Sequence, residues 1–337
     1  MSSNHITKVA IVGATGRIGR AFAVALLETG KHEVTAIVRP DTNKDKLPKG
    51  IKTAAVDYDS DESIVSALKG QEFLCVTLSV FAPKELHGRI VKAAGEAGVK
   101  WIMPNIYGGD ITNASLSKES LYGDTAVANL EDCKAAGIPY IVLCCGFWYE
   151  WSLALGEQWF GFTIKDRKAT LIIDDGEEKI SVSTWEQCGR ALAALLSLPV
   201  QGEAGKPGVE DWKNKLLYIN SFTVSQRDML NSLHRVLGTS DSDWTITREP
   251  AKQRYQDGIA EMQRGERTGF AKAMYTRFFF KDGGGNHEET QGLVNEKLGL
   301  PKEDLDFSTK RAVQMVESGW NPFAPGLDNF EMPKQDL

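Results

Sequence analysis

An apolar run at residues 9–12 leads directly into Gly13-Ala14-Thr15-Gly16-Arg17-Ile18-Gly19, and a second apolar stretch follows from Ala21 to Leu27. Strand, glycine-rich turn and helix start succeed one another in the order a dinucleotide-binding fingerprint requires. Gly13 permits the tight turn off the strand, Gly16 lets the backbone approach a pyrophosphate, and Gly19 lets the helix pack closely on the sheet. The unpaired amides and positive dipole end of that helix then face the phosphates. Thr15, Arg17 and Ile18 complete the loop, and with the three glycines they are candidate cofactor contacts.

The end of the next strand chooses the dinucleotide. Residues 33–38 are apolar enough for that strand, and Arg39 follows them. An NAD-preferring site usually carries Asp or Glu here to accept hydrogen bonds from the ribose 2′-OH. Arg39, with Arg17 in the loop, suits a 2′-phosphate held by charge-assisted, often bidentate bonds. The expected cofactor is NADP(H).

Strand and helix signals alternate through the first half. Further strands are expected at 52–56, 73–78, 100–103 and 140–145, with helices at 61–69, at 84–97 and ending near Gly137. Short connections between them point to an α/β doubly wound parallel sheet. Thr77 and Ser79 close the 73–78 strand and should lie beside the cofactor ribose. After residue 150 the pattern changes to short strands and helices. Residues 170–173 and 180–182, separated by Asp174-Asp175-Gly176, suggest a hairpin or paired edge strands. Helices are expected at 185–198, 225–237, 251–263, 270–280 and 308–318, with strands at 216–219 and 244–247. Gly283-Gly284-Gly285 reads as a mobile loop, and a tail with Pro322, Pro325 and Pro333 should lie extended over the surface. The division expected is a cofactor-binding domain at 1–150 and a smaller α+β substrate-binding region at 151–337.

Composition narrows the class. A chain of 337 residues, 42% hydrophobic, can bury one large core or two modest ones. Its net charge of −6 argues against a nucleic-acid partner. No apolar run of membrane-spanning length and no secretory leader is evident, so a cytoplasmic location without membrane attachment is expected. Cys75, Cys144 and Cys145 fall inside expected buried strands, and neither Cys133 nor Cys188 adds a ligand-spaced pair. The histidines (His5, His32, His87, His234, His287) are scattered, so neither a metal nor a disulfide is expected.

The loop motif, Ile37-Val38-Arg39, the segment Trp101-Ile102-Met103-Pro104-Asn105-Ile106-Tyr107-Gly108 and Gly137-Ile138-Pro139-Tyr140 together resemble a known family. It is the NmrA-like and isoflavone-reductase-like branch of the atypical short-chain dehydrogenases/reductases, and the likeness is strongest to its fungal oxidoreductases. The resemblance implies a Rossmann fold, NADPH, and reduction of a small aromatic or enone-type substrate, often in secondary metabolism. It also implies that Asp57 and Tyr58 flank the adenine. The branch includes cofactor-binding regulators without catalysis, so a redox-sensing protein with a protein partner is one alternative. An isomerase or cyclase on the same fold is another. Two positions depart from the family pattern. Ala128 stands where the plant reductases carry a lysine, and Ala126 stands where a Tyr-x-x-x-Lys motif beginning at Tyr122 would place one.

A reductase needs a proton donor near the hydride acceptor. Tyr107 and Asn105 follow a strand's carboxyl end, and Lys118 precedes Tyr122 by four residues, which on one helix would give the two a shared face. These four are the candidate catalytic residues. Phe147, Trp148 and Tyr149, at the exit of the 140–145 strand, are the candidate aromatic wall for a flat substrate. The sequence leaves monomer and homodimer both open.

Overall fold

The computed structural model describes residues 4–79, 81–172, 176–203, 205–324, 327–328, 330, 332–335 and 337. The expected turn at Asp174-Asp175 and Pro325 lie outside them.

The first half runs β1 (Lys8–Val12), α1 (Arg17–Glu28), β2 (Glu33–Val38), β3 (Lys52–Ala55), α2 (Asp61–Leu68), β4 (Phe73–Val76), α3 (Leu86–Glu96), β5 (Trp101–Met103), α4 (Ala114–Glu119), α5 (Gly123–Ala135) and β6 (Ile141–Cys144). Five strands pair in parallel in the order β3-β2-β1-β4-β5. A parallel bridge from Ile102 to Tyr140 carries the sheet on to β6. Strand order reverses between β1 and β4, the topological switch point of a doubly wound sheet. Alternation along β1 feeds two layers: Val9 and Ile11 join Phe22 and Leu26 of α1 on one face, while Ala10 and Val12 join Ile64 and Ile90 on the other.

The second half runs β7 (Phe147–Trp148), α6 (Tyr149–Ala154), α7 (Glu157–Phe160), β8 (Phe162–Thr163), β9 (Lys168–Ile172), β10 (Lys179–Ser183), α8 (Trp185–Leu196), β11 (Lys215–Tyr218), β12 (Phe222–Ser225), α9 (Gln226–Leu237), β13 (Thr245–Glu249), α10 (Ala251–Gln263), α11 (Arg267–Phe278), α12 (His287–Gln291) and α13 (Leu305–Glu317). Elements from both sides of residue 150 share the first layer. β11 pairs in parallel with β6, and α8 packs on α1 so closely that a β-carbon at Gly189 would stand 2.5 Å from the Ala21 carbonyl oxygen.

Two expectations need correction. β9 and β10 do not form a hairpin: β9 pairs with β8 and β13, and β10 pairs with β7 and β12. Their apolar character is satisfied by partners distant in sequence. The glycine run is also not a free loop. Gly284 and Gly285 are buried, the Gly285 carbonyl accepts from Ser181 N at 2.9 Å, and a β-carbon at Gly285 would meet the Phe278 carbonyl oxygen at 2.2 Å. The absent side chain is what lets this turn dock.

Candidate active site

The glycine loop sits at the carboxyl end of β1, pressed against the end of β4. Gly13 turns with φ of 82°, and a β-carbon there would stand 2.1 Å from the Thr77 carbonyl oxygen. One at Gly19 would stand 2.4 Å from the Gly13 carbonyl oxygen. Thr77 is itself fixed, its hydroxyl donating to Val12 O at 2.7 Å. Gly16 N donates to Gly13 O at 2.9 Å, closing the turn. Gly16 is the N-cap of α1, with no side-chain cap and no acidic residue in the first turn. The first amides of the helix therefore point to the carboxyl edge of the sheet with their dipole intact. Thr15 is exposed at the loop tip, and Ile18 is buried beneath it.

Arg17 and Arg39 do not converge here. The Arg17 guanidinium lies 4.2 Å from the ring centroid of Trp151, 5.7 Å from that of Trp185 and 5.6 Å from that of Trp320, and it is paired with Asp328. Burial lowers its pKa, opposed by Asp328. Arg39 is 71% exposed, and its Nε lies 3.7 Å from Asp41. Beside it Tyr58 is half-buried, its hydroxyl donating to Ile37 O at 3.3 Å, and burial pushes the phenol up to about 12. The Asp57 carboxylate faces solvent and accepts from Asp59 N at 2.9 Å. Ser79 accepts from Phe81 N at 3.2 Å.

A hydrogen-bonded knot fixes the segment after β5. The Asn105 side-chain oxygen accepts from Leu78 N at 3.0 Å, and its carbonyl accepts from Tyr122 Oη at 2.8 Å and Asn129 Nδ2 at 3.1 Å. Asn105 N faces His87 Nε2 at 3.4 Å, while His87 Nδ1 meets Asp132 at 2.7 Å. Nε2 accepts, so the ring proton sits on Nδ1. Burial lowers the His87 pKa, opposed by Asp132. The Tyr107 hydroxyl donates to Val76 O at 2.9 Å. Burial raises its pKa well above the ordinary value, and that of Tyr122 to about 12.

Lys118 and Tyr122 do not share a helix. Lys118 is exposed in the last turn of α4, Tyr122 caps α5, and Leu121 between them has φ of 63°. The aromatic run divides similarly. Phe147 stacks on Tyr275 with centroids 3.8 Å apart, and Tyr149 is wholly buried with its hydroxyl 2.8 Å from Thr309, so both serve the second core. Trp148 faces the first half, tilted against Trp185 at 5.9 Å. The Trp148 and Trp185 indole nitrogens are buried without a hydrogen-bond partner.

Trp185, Trp320 and Asp328 escaped the sequence reading. They lie from 168 to 311 positions away from Arg17, and no local spacing links them. The chain's eight tryptophans were the one available hint.

A glycine loop of this geometry on a doubly wound sheet defines a dinucleotide-binding protein. Residues 13–104 match a family described as NAD(P)H-binding. The oxidoreductase aprR of Aspergillus flavus is 27% identical over 304 residues, 89% of this chain and 96% of the relative. Solved structures share the fold, among them the two that follow. AtPrR2 with NADP+ and (+)pinoresinol has a TM-score of 0.70 at 19% identity, over 90% of this chain and 98% of that one. An isoflavone reductase has a TM-score of 0.69 at 19% identity, over 92% and 100%. The chain is an NAD(P)H-dependent oxidoreductase, as the motifs led us to expect, and in fold it is similar to isoflavone reductase. Among the described residues no helix is long and apolar enough to cross a membrane.

Proposed function

We propose that the chain reduces a small aromatic or enone-type metabolite with NADPH, residues 1–150 holding the cofactor and the remainder shaping the substrate site. One observation carries this reading: the uncapped amino end of α1, with no acid in its first turn, opens beside a turn in which Gly13 and Gly19 have room for no side chain. The amides of residues 17–19 hold the pyrophosphate, Arg39 meets the 2′-phosphate, Arg17 meets a phosphate oxygen at the amino end of α1, Asp57 and Tyr58 flank the adenine, and Thr77 and Ser79 meet the ribose. The absence of an acidic residue at position 39 supports NADPH over NADH. Bound there, the dihydronicotinamide supplies a hydride from C4.

Trp148 and Trp185, at the same rim, offer apolar faces and two buried N–H groups to a flat, oxygen-bearing substrate. Phe147, stacked on Tyr275, stays in the second core and forms no part of this wall. Asn105 and Tyr107 position the floor, and solvent supplies the proton, because the Tyr107 and Tyr122 hydroxyls already donate to backbone carbonyls. A cytoplasmic location accords with five cysteines that are all buried free thiols. The test is NADPH oxidation with a panel of aromatic aldehydes, enones and quinones. Turnover of one member is expected, and tight NADPH binding with no turnover across the panel would overturn the reductase reading. That second result is what a cofactor-sensing regulator would give, a reading favoured by the same two committed hydroxyls and by Ala126 and Ala128.

A further inference from the structure

The segment beyond α13 brings a carboxylate to the amino end of α1. Trp320 meets Trp151 edge-on at 5.2 Å, and its Nε1 donates to Asp328 at 3.0 Å. Asp328 in turn accepts from the Arg17 guanidinium. Further along, Lys334 Nζ reaches Glu28, the last residue of α1, at 3.1 Å. The two contacts lie at opposite ends of a helix about 17 Å long.

The chemistry at Arg17 is that of an anion seat. Three indoles displace water from around the guanidinium, which strengthens its attraction for any anion that reaches it. α1 supplies no acid of its own here, and the one that arrives is 311 positions away in sequence. A carboxylate oxygen and a phosphate oxygen accept the same charge-assisted bonds from arginine.

We propose that Asp328 takes on Arg17 the place of a cofactor phosphate oxygen, so that this carboxylate and the dinucleotide compete for the guanidinium. The inference rests on the cofactor reading above. Asp328 then lowers apparent affinity for NADPH by the fraction of molecules in which it holds Arg17. Binding of the phosphate releases Asp328 and frees Trp320 from Trp151.

The experiment is a titration of the full chain with NADPH and with NADH, comparing the wild type with Asp328→Asn, Arg17→Ala and the double variant. Asp328→Asn is expected to bind NADPH about three- to tenfold more tightly, and in the Arg17→Ala background to make no difference. Equal tightening for NADH would support the competition and place the contested group in the pyrophosphate. NADPH binding that Asp328→Asn leaves unchanged or weakens overturns this inference alone. Failure of every form to bind NADPH overturns the cofactor reading and the inference with it.

Discussion

At Gly13 the chain turns through a left-handed conformation with a carbonyl oxygen 2.1 Å from where a β-carbon would lie. The left-handed backbone alone costs a non-glycine residue about 1–2 kcal/mol, and the collision with Thr77 adds to that. Gly13→Ala should lower the melting temperature and abolish NADPH binding, as thermal melts and a titration will check. Tyr107→Phe removes only the bond to Val76 O. It should cost about 1 kcal/mol of stability and leave kcat within about threefold, since a lost general acid would cost roughly a hundredfold or more. His87 sets a pH dependence. Burial holds its pKa below the ordinary value, so the folded chain binds fewer protons there than the unfolded one. The neutral ring's contribution is complete above the ordinary histidine range and erodes as the pH falls below it. Melting curves from about pH 7 down to about pH 5 should show a decline that His87→Gln flattens.

Elements were read well where the signal was local. The strand–loop–helix at 9–27 and the helix at 251–263 coincide with β1, α1 and α10 because periodicity and glycine placement decide them within one window. β9 and β10 were misjudged because both are apolar and an Asp-Gly turn separates them, while their partners come from β13 and β12 far along the chain. The site divided in the same way. Its glycines were legible, but the tryptophans around Arg17 and the commitment of the Tyr107 hydroxyl to Val76 depend on tertiary contacts. Long-range ion pairs also join elements. Arg277 in α11, fully buried, pairs with Glu119 of α4 and with Asp282 in the turn that follows α11. Replacing Glu119 with Gln and Asp282 with Asn together leaves that guanidinium buried and uncompensated. The expected loss is about 3–5 kcal/mol in denaturant unfolding.

Across the whole molecule, one parallel sheet with two helical layers presents its carboxyl edge to the loop, the knot around Asn105 and the Trp148–Trp185 pair. The second half contributes β11 to the sheet, α8 to its cover and Asp328 to the amino end of α1, so the glycine-loop end of the sheet is built from both halves of the chain. The most direct test of the account is the rate of NADPH oxidation, followed by the loss of nicotinamide absorbance with aromatic aldehydes, enones and quinones in turn. At least one is expected to be reduced, faster with NADPH than with NADH. No oxidation by any of them while NADPH is shown to be bound would contradict it.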